Sequence, residues 1–123
     1  MPSADQHRNK AEGNRKFLAT ISLDDHPDWV VVAAFYTAVH FAERLRAASG
    51  DGDSRGHEDR LSYVQDRHGK IHSPFHILQN ASMLARYQSY SDFYAQFDQH
   101  NIPDRILARL AAIEVYVATQ LGA

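Results

Sequence analysis

From residue 28 to residue 46 the chain reads DWVVVAAFYTAVHFAERLR, and between 29 and 42 apolar side chains fill nearly every position, interrupted by Thr37 and His40. A segment apolar on all sides predicts a helix at the centre of a bundle, with Phe41 in the core. It falls short of the about 20 uninterrupted apolar residues that a bilayer-crossing helix needs, so no membrane association is expected. Before it, residues 3–22 place Ala4, His7, Ala11, Asn14, Leu18 and Ile21 at spacings of three and four, one stripe of an amphipathic helix. Ser3 followed by Gln6 has the form of a capping box. Two members of that stripe are polar: His7 and Asn14 either sit at its margin, satisfied by neighbours, or face a polar pocket.

The connection at 23–27 is short, which predicts that the first two helices run antiparallel. Asp24 or Asp25 can cap the second helix, and Pro27 suits its first turn. On that helix Trp29, Ala33, Tyr36, His40 and Glu43 or Arg44 share a face, with Tyr36 as the local partner of the histidine. Residues 49–56, SGDGDSRG, predict a mobile loop dividing two helical hairpins. A third helix opens between 54 and 57 and runs to about 67, burying Leu61 and Val64, until Gly69 and Pro74 break the pattern. The fourth starts at Ser73-Pro74 and carries Ile77, Leu78, Ala81, Leu84 and Ala85 on one face to about 87–89. Residues 90–102 read as an aromatic-rich loop with one short helical turn. A last helix over 103–121 aligns Ile106, Leu110, Ile113, Val117 and Leu121, and Gly122 ends it. There is no internal repeat and no alternating pattern of the kind a strand requires. The expectation is a single all-α domain over residues 1–123, an antiparallel bundle of four to five helices.

Composition narrows the chemistry. The absence of cysteine excludes disulfides, thiolate metal ligands and a cysteine nucleophile. No GxGxxG, Walker A, GxSxG or HExxH string is present, which sets aside dinucleotide-binding, kinase-like and hydrolase readings. A polar N-terminal stretch without an apolar run predicts no secretory signal and a cytoplasmic location. The net charge of −2 supplies no global field for nucleic acid, so any RNA contact must be local. Histidine is the unusual component: there are eight, and His57, His68, His72 and His76 fall within one span of twenty residues. On an unbroken helix, His68, His72 and His76 would align as a metal set, with Asp66, Glu58 or Asp59 from a neighbour, although Gly69 and Pro74 interrupt that register. This makes a histidine-metal enzyme one reading; otherwise no cofactor or metal is expected.

The string Ala34-Phe35-Tyr36-Thr37-Ala38-Val39-His40-Phe41-Ala42-Glu43 resembles the second-helix signature of the HEPN superfamily, an aromatic pair followed by a small residue and a histidine. Ser54-Arg55-Gly56-His57 is similar to the element that opens the next helix in small HEPN-like proteins, and Ala85-Arg86-Tyr87 to the end of their third long helix. The likeness spans roughly residues 5–120. It implies a HEPN-like helical bundle, commonly a homodimer, of the toxin-antitoxin or defence type, with RNA as ligand and an antitoxin or a nucleotidyltransferase as partner. Many members are metal-independent ribonucleases whose signature is an arginine followed closely by a histidine. Arg67 and His72, with four residues between them, match it and are the candidate catalytic pair. Here His68 follows the arginine directly, and the match lies mid-chain rather than late in the fold.

In such a pair the histidine would move a proton at the RNA 2′-hydroxyl or leaving oxygen while the arginine stabilises charge on phosphorus. A second set, His40, His57, Arg60, Arg86 and Tyr87, forms the candidate substrate-binding site, or else a hydrogen-bond network that fixes helix packing. If His57, His68 and His72 line a phosphate groove, binding should strengthen from about pH 7 to 6 as imidazoles near their usual pKa of about 6.5 become charged. The alternative from another class is a catalytically inert helical module that binds a nucleotide or a protein partner.

Overall fold

The computed structural model describes residues 2–122, and every regular element among them is helical. The chain runs α1 (Ala4–Thr20), α2 (Pro27–Ala48), α3 (His57–Arg67), α4 (His72–Tyr87), the short α5 (Tyr90–Tyr94) and α6 (Ala108–Leu121). A 3₁₀ turn at Gly69–Ile71 leads into α4, and a π-helical turn at Pro103–Leu107 leads into α6. Among the described residues no helix is long and apolar enough to cross a membrane.

α2 is the axle. Val31, Ala34, Phe35, Thr37 and Ala38 have no exposed surface, and α1, α4 and α6 all pack on this helix. Thr37 satisfies its hydroxyl by donating to the Ala33 carbonyl at 2.8 Å, so a polar residue is buried there without an orphaned group. α1 lies antiparallel against α2, because His7 meets His40 while Asn14 meets the Tyr36 carbonyl. The capping box at its start is present: the Ser3 Oγ accepts from the Gln6 amide at 3.1 Å, and the Ser3 amide donates to Gln6 Oε1 at 2.7 Å. From α6, Ile106 in the π turn and then Leu110, Ile113 and Val117 are wholly buried, as their spacing predicted. Gly122 closes that helix in the left-handed region, φ 68°.

Two local expectations are corrected. Neither Asp24 nor Asp25 caps α2; the cap position is His26, without a side-chain bond, and Pro27 opens the helix. α4 begins at His72 rather than at a Ser73 cap, because the 3₁₀ turn winds straight into it. Pro74 then falls in the first turn, where a missing amide costs no hydrogen bond. The loop 49–56 contacts α2 at two points: Arg46 Nε donates to the Gly52 carbonyl at 2.8 Å, and the Ser54 amide donates to Glu43 Oε2 at 3.3 Å. Gly50 and Gly52, at φ 74° and 75°, make the left-handed steps that turn this loop back onto the helix.

Candidate functional site

Between residues 29 and 45 every α2 side chain is buried except Trp29, Val32, Tyr36 and His40. Their spacing of three, four and four places them on one line along the helix. That line is the floor of three adjoining clefts. One, of about 550 Å³, lies between Trp29 and Val32 on one side and Ala85, Arg86 and Tyr90 on the other. A second, of about 320 Å³, lies between the same stripe and Lys10, Asn14 and Phe17 of α1. The third, of about 510 Å³, continues past His40 to His7, Gln6 and Lys10. Phe17, Trp29, Tyr87 and Tyr90 stand around this face with 58–72 % of their surface exposed. An apolar grouping of that kind on an otherwise polar exterior marks a contact surface.

Arg86 supplies the central positive charge. Its Nη1 donates to the Tyr36 hydroxyl at 2.7 Å and to the Tyr87 hydroxyl at 3.3 Å, and its guanidinium lies 5.4 Å and 4.8 Å from the two ring centroids. Two aromatic faces thus hold one cation at the cleft edge. Tyr36 is therefore not the partner of His40. The His40 Nδ1 instead meets the His7 Nδ1 at 3.1 Å, with the rings stacked.

Beneath this face lies a buried ion pair that sequence reasoning missed. Glu43 and Arg60 side chains are only 6 % and 12 % exposed, and Arg60 Nε donates to Glu43 Oε1 at 2.8 Å. Arg60 Nη1 also donates to His57 Nδ1 at 2.8 Å. Since a guanidinium cannot accept, His57 must be the tautomer with its proton on Nε2. Burial first, then the charges of Arg60 and Arg86, push the His57 pKa down. For Glu43, burial alone would raise the pKa, but hydrogen bonds from Ser54 and Arg60 outweigh it and hold the carboxyl below its usual range.

His40 is pushed down to about 4, by burial first and then by the neighbouring His7, Lys10 and Arg60. It is therefore neutral near pH 7. With its folded pKa below the ordinary value, the unfolded chain binds an extra proton between about pH 6.5 and 4. The stability this group contributes is complete above that window and is lost as pH falls through it. His57 and His68, both pushed down, act in the same sense. The urea midpoint should fall between pH 7 and pH 5, and His40→Gln should make the fall shallower; a wild-type midpoint constant over that range would contradict the burial of these rings.

The sequence-predicted residues thus separate into two groups. His40, His57, Arg60, Arg86 and Tyr87 are joined to one polar seam by α2, whose Tyr36, His40 and Glu43 meet them or their partners. Arg67 and His72 have no mutual hydrogen bond or ion pair among the described residues. Arg67 lies over the Tyr63 ring and 3.7 Å from Asp51, whereas the His72 ring sits 5.6 Å from that of His76. The aligned metal set is split as well, because His68 turns to the Tyr116 hydroxyl at 2.8 Å. The pH expectation for a groove lined by His57, His68 and His72 also changes, since two of these rings are held neutral to lower pH. Lys10 and Phe17 escaped sequence reasoning, although they share a second stripe of α1 with Asn14, and an apolar Phe17 outside the core stripe was the signal. Compared with protein-family models, curated proteins and solved structures, the chain matches none.

Proposed function

We propose that this chain is a HEPN-like helical module that binds single-stranded RNA across the open face of α2. The observation that carries the reading is the grouping of four exposed aromatic rings around clefts edged by Arg86 and Lys10. Single-stranded nucleic acid is recognised by that combination: bases stack on rings while cations follow the phosphates, which needs no net positive charge on the whole chain. Asp28, at the Trp29 end of the larger cleft, keeps phosphates on the Arg86 and Lys10 sides and leaves the indole for a base.

Binding without cleavage is the version the side chains favour. His57 already uses its acceptor nitrogen on Arg60, so it has an N–H to donate but no free lone pair to take a 2′-hydroxyl proton. Arg67 and His72 point to different partners within the chain.

Trp29 is the single tryptophan and lies on the proposed face, so its fluorescence reports on the site directly. Titrating the protein with a mixed-sequence single-stranded RNA oligonucleotide should quench that emission, more tightly at low salt than at high salt. Tyr87→Ala or Arg86→Ala should weaken binding by about 1–3 kcal/mol, roughly 5- to 150-fold. Affinity should change little between pH 7 and 6. Absence of binding at low salt would overturn the reading. RNA cleavage that persists in chelator and disappears in His72→Ala would restore the catalytic version.

A further inference from the structure

His7 is buried on the inner stripe of α1, its side chain 8 % exposed, and its Nε2 has no hydrogen-bond partner. That nitrogen faces carboxylates. Asp53 Oδ1 of the loop 49–56 lies 3.5 Å away, too far for a good hydrogen bond, and the ligand atoms of His7, Glu43 and Asp53 all lie within 4.8 Å of one another. Among the described residues no other trio of histidine or acidic side chains is gathered in this way. An orphaned imidazole nitrogen and two carboxylates converging from α1, α2 and a loop is an arrangement that a cation satisfies.

We propose that His7 Nε2, Glu43 and Asp53 hold a first-row divalent metal ion of the zinc class, which fastens the loop 49–56 to α1 and α2. The donor set of one imidazole and two carboxylates suits such an ion, and mixed nitrogen and oxygen sites are common for it. Two ligands at ~2.1 Å from a tetrahedral ion stand ~3.4 Å apart, which the His7 to Asp53 separation already matches. The wider pairs, up to 4.8 Å apart, would close by about 1.4 Å at most, and Asp53, its side chain 41 % exposed, has open space in which to change rotamer.

The supporting contacts are in place. A metal-bound histidine donates its other ring N–H to a fixed acceptor. The His7 Nδ1 is 3.1 Å from the His40 Nδ1, and a proton on the first donated to the lone pair of the second leaves the lone pair of His7 on Nε2. Glu43 keeps its hydrogen bonds from Arg60 and the Ser54 amide, and each carboxylate oxygen has a second lone pair to offer. The inference does not rest on RNA binding, and neither reading falls with the other.

The test is titration of the full chain, purified through chelator, with zinc chloride alone. Calorimetry should show one equivalent bound with micromolar or tighter affinity, and the melting temperature should rise with added zinc. Asp53→Asn and His7→Gln should each weaken binding at least tenfold, and His40→Phe by roughly 10- to 100-fold through loss of the supporting contact. Cobalt in place of zinc should give visible absorption that the same variants abolish. Asp53 is exposed on a loop, so its variant keeps the fold and decides the matter even if His7→Gln does not. No one-equivalent binding, or binding unaltered by Asp53→Asn, would overturn the proposal; the latter would assign the zinc to the neighbouring imidazoles of His72 and His76.

Discussion

Replacing Phe35 with alanine is expected to cost about 3–5 kcal/mol, a large share of the stability of a domain this size. Phe35 has no exposed surface and stands at the crossing of three helices, with its ring 6.0 Å from Phe75 of α4 and 5.3 Å from His57 of α3. Truncation removes the contacts and leaves a hole that rigid helices on three sides cannot close. Urea denaturation should show a lower midpoint with an unchanged slope, because the surface exposed on unfolding is nearly the same. Phe41, 6 % exposed, was the core site anticipated from the sequence and should behave similarly. A loss below about 1 kcal/mol at Phe35 would mean that α2 is not the centre of the bundle.

Arg60→Ala should be comparably damaging, by about 3–5 kcal/mol, for an electrostatic reason. The substitution strands the Glu43 carboxylate, only 6 % exposed, with the Ser54 amide as its remaining partner, and removes the donor to His57 at the same time. The sign of the pH effect follows from the lowered Glu43 pKa in the folded chain. Its stabilising contribution is present above the ordinary carboxylate pKa and is lost as pH falls through the lower folded value. In Arg60→Ala the carboxyl loses the guanidinium that held its proton off, so this acid-side loss should shrink or reverse. Denaturation midpoints between pH 7 and pH 3 for both proteins check it; parallel curves would contradict the assignment.

The bundle was legible where periodicity speaks. A segment as apolar as 29–42 belongs in the middle, where only the stripe from Trp29 to His40 stays uncovered, and Leu110, Ile113 and Val117 lie on one line of α6 by arithmetic alone. The start of α4 was displaced because a 3₁₀ turn has no hydrophobic signature, so Ser73-Pro74 reads as a fresh beginning when the chain is already winding. The short turn expected within 90–102 became α5, capped by Ser89 Oγ accepting from the Asp92 amide at 3.2 Å.

The candidate site was legible on one side only. Spacing along α2 aligned Trp29, Tyr36 and His40, but their partners come from far along the chain. His7 is 33 residues from His40, and Arg86 is 50 from Tyr36. Which residues meet across two helices depends on their crossing, and a single sequence does not state it. Arg67 and His72 illustrate the converse: nearness in sequence drew them together, but the turn at Gly69–Ile71 sends them to separate neighbours. Spacing put Glu43 or Arg44 at the end of the same α2 face, but it could not show that Arg60 arrives from α3 to make the burial of Glu43 affordable.

The central helix is made before α4 and α6, which cover it, and this matters while the protein is being synthesised. Its contacts with α1 are closed by a six-residue turn and can form as soon as residue 48 has left the ribosome, since short loops cost little entropy and close quickly. The flank that α6 covers stays bare until that helix is synthesised in its turn. Over that interval the nascent hairpin carries an uncovered oily side, the condition under which chains stick to one another or to a chaperone.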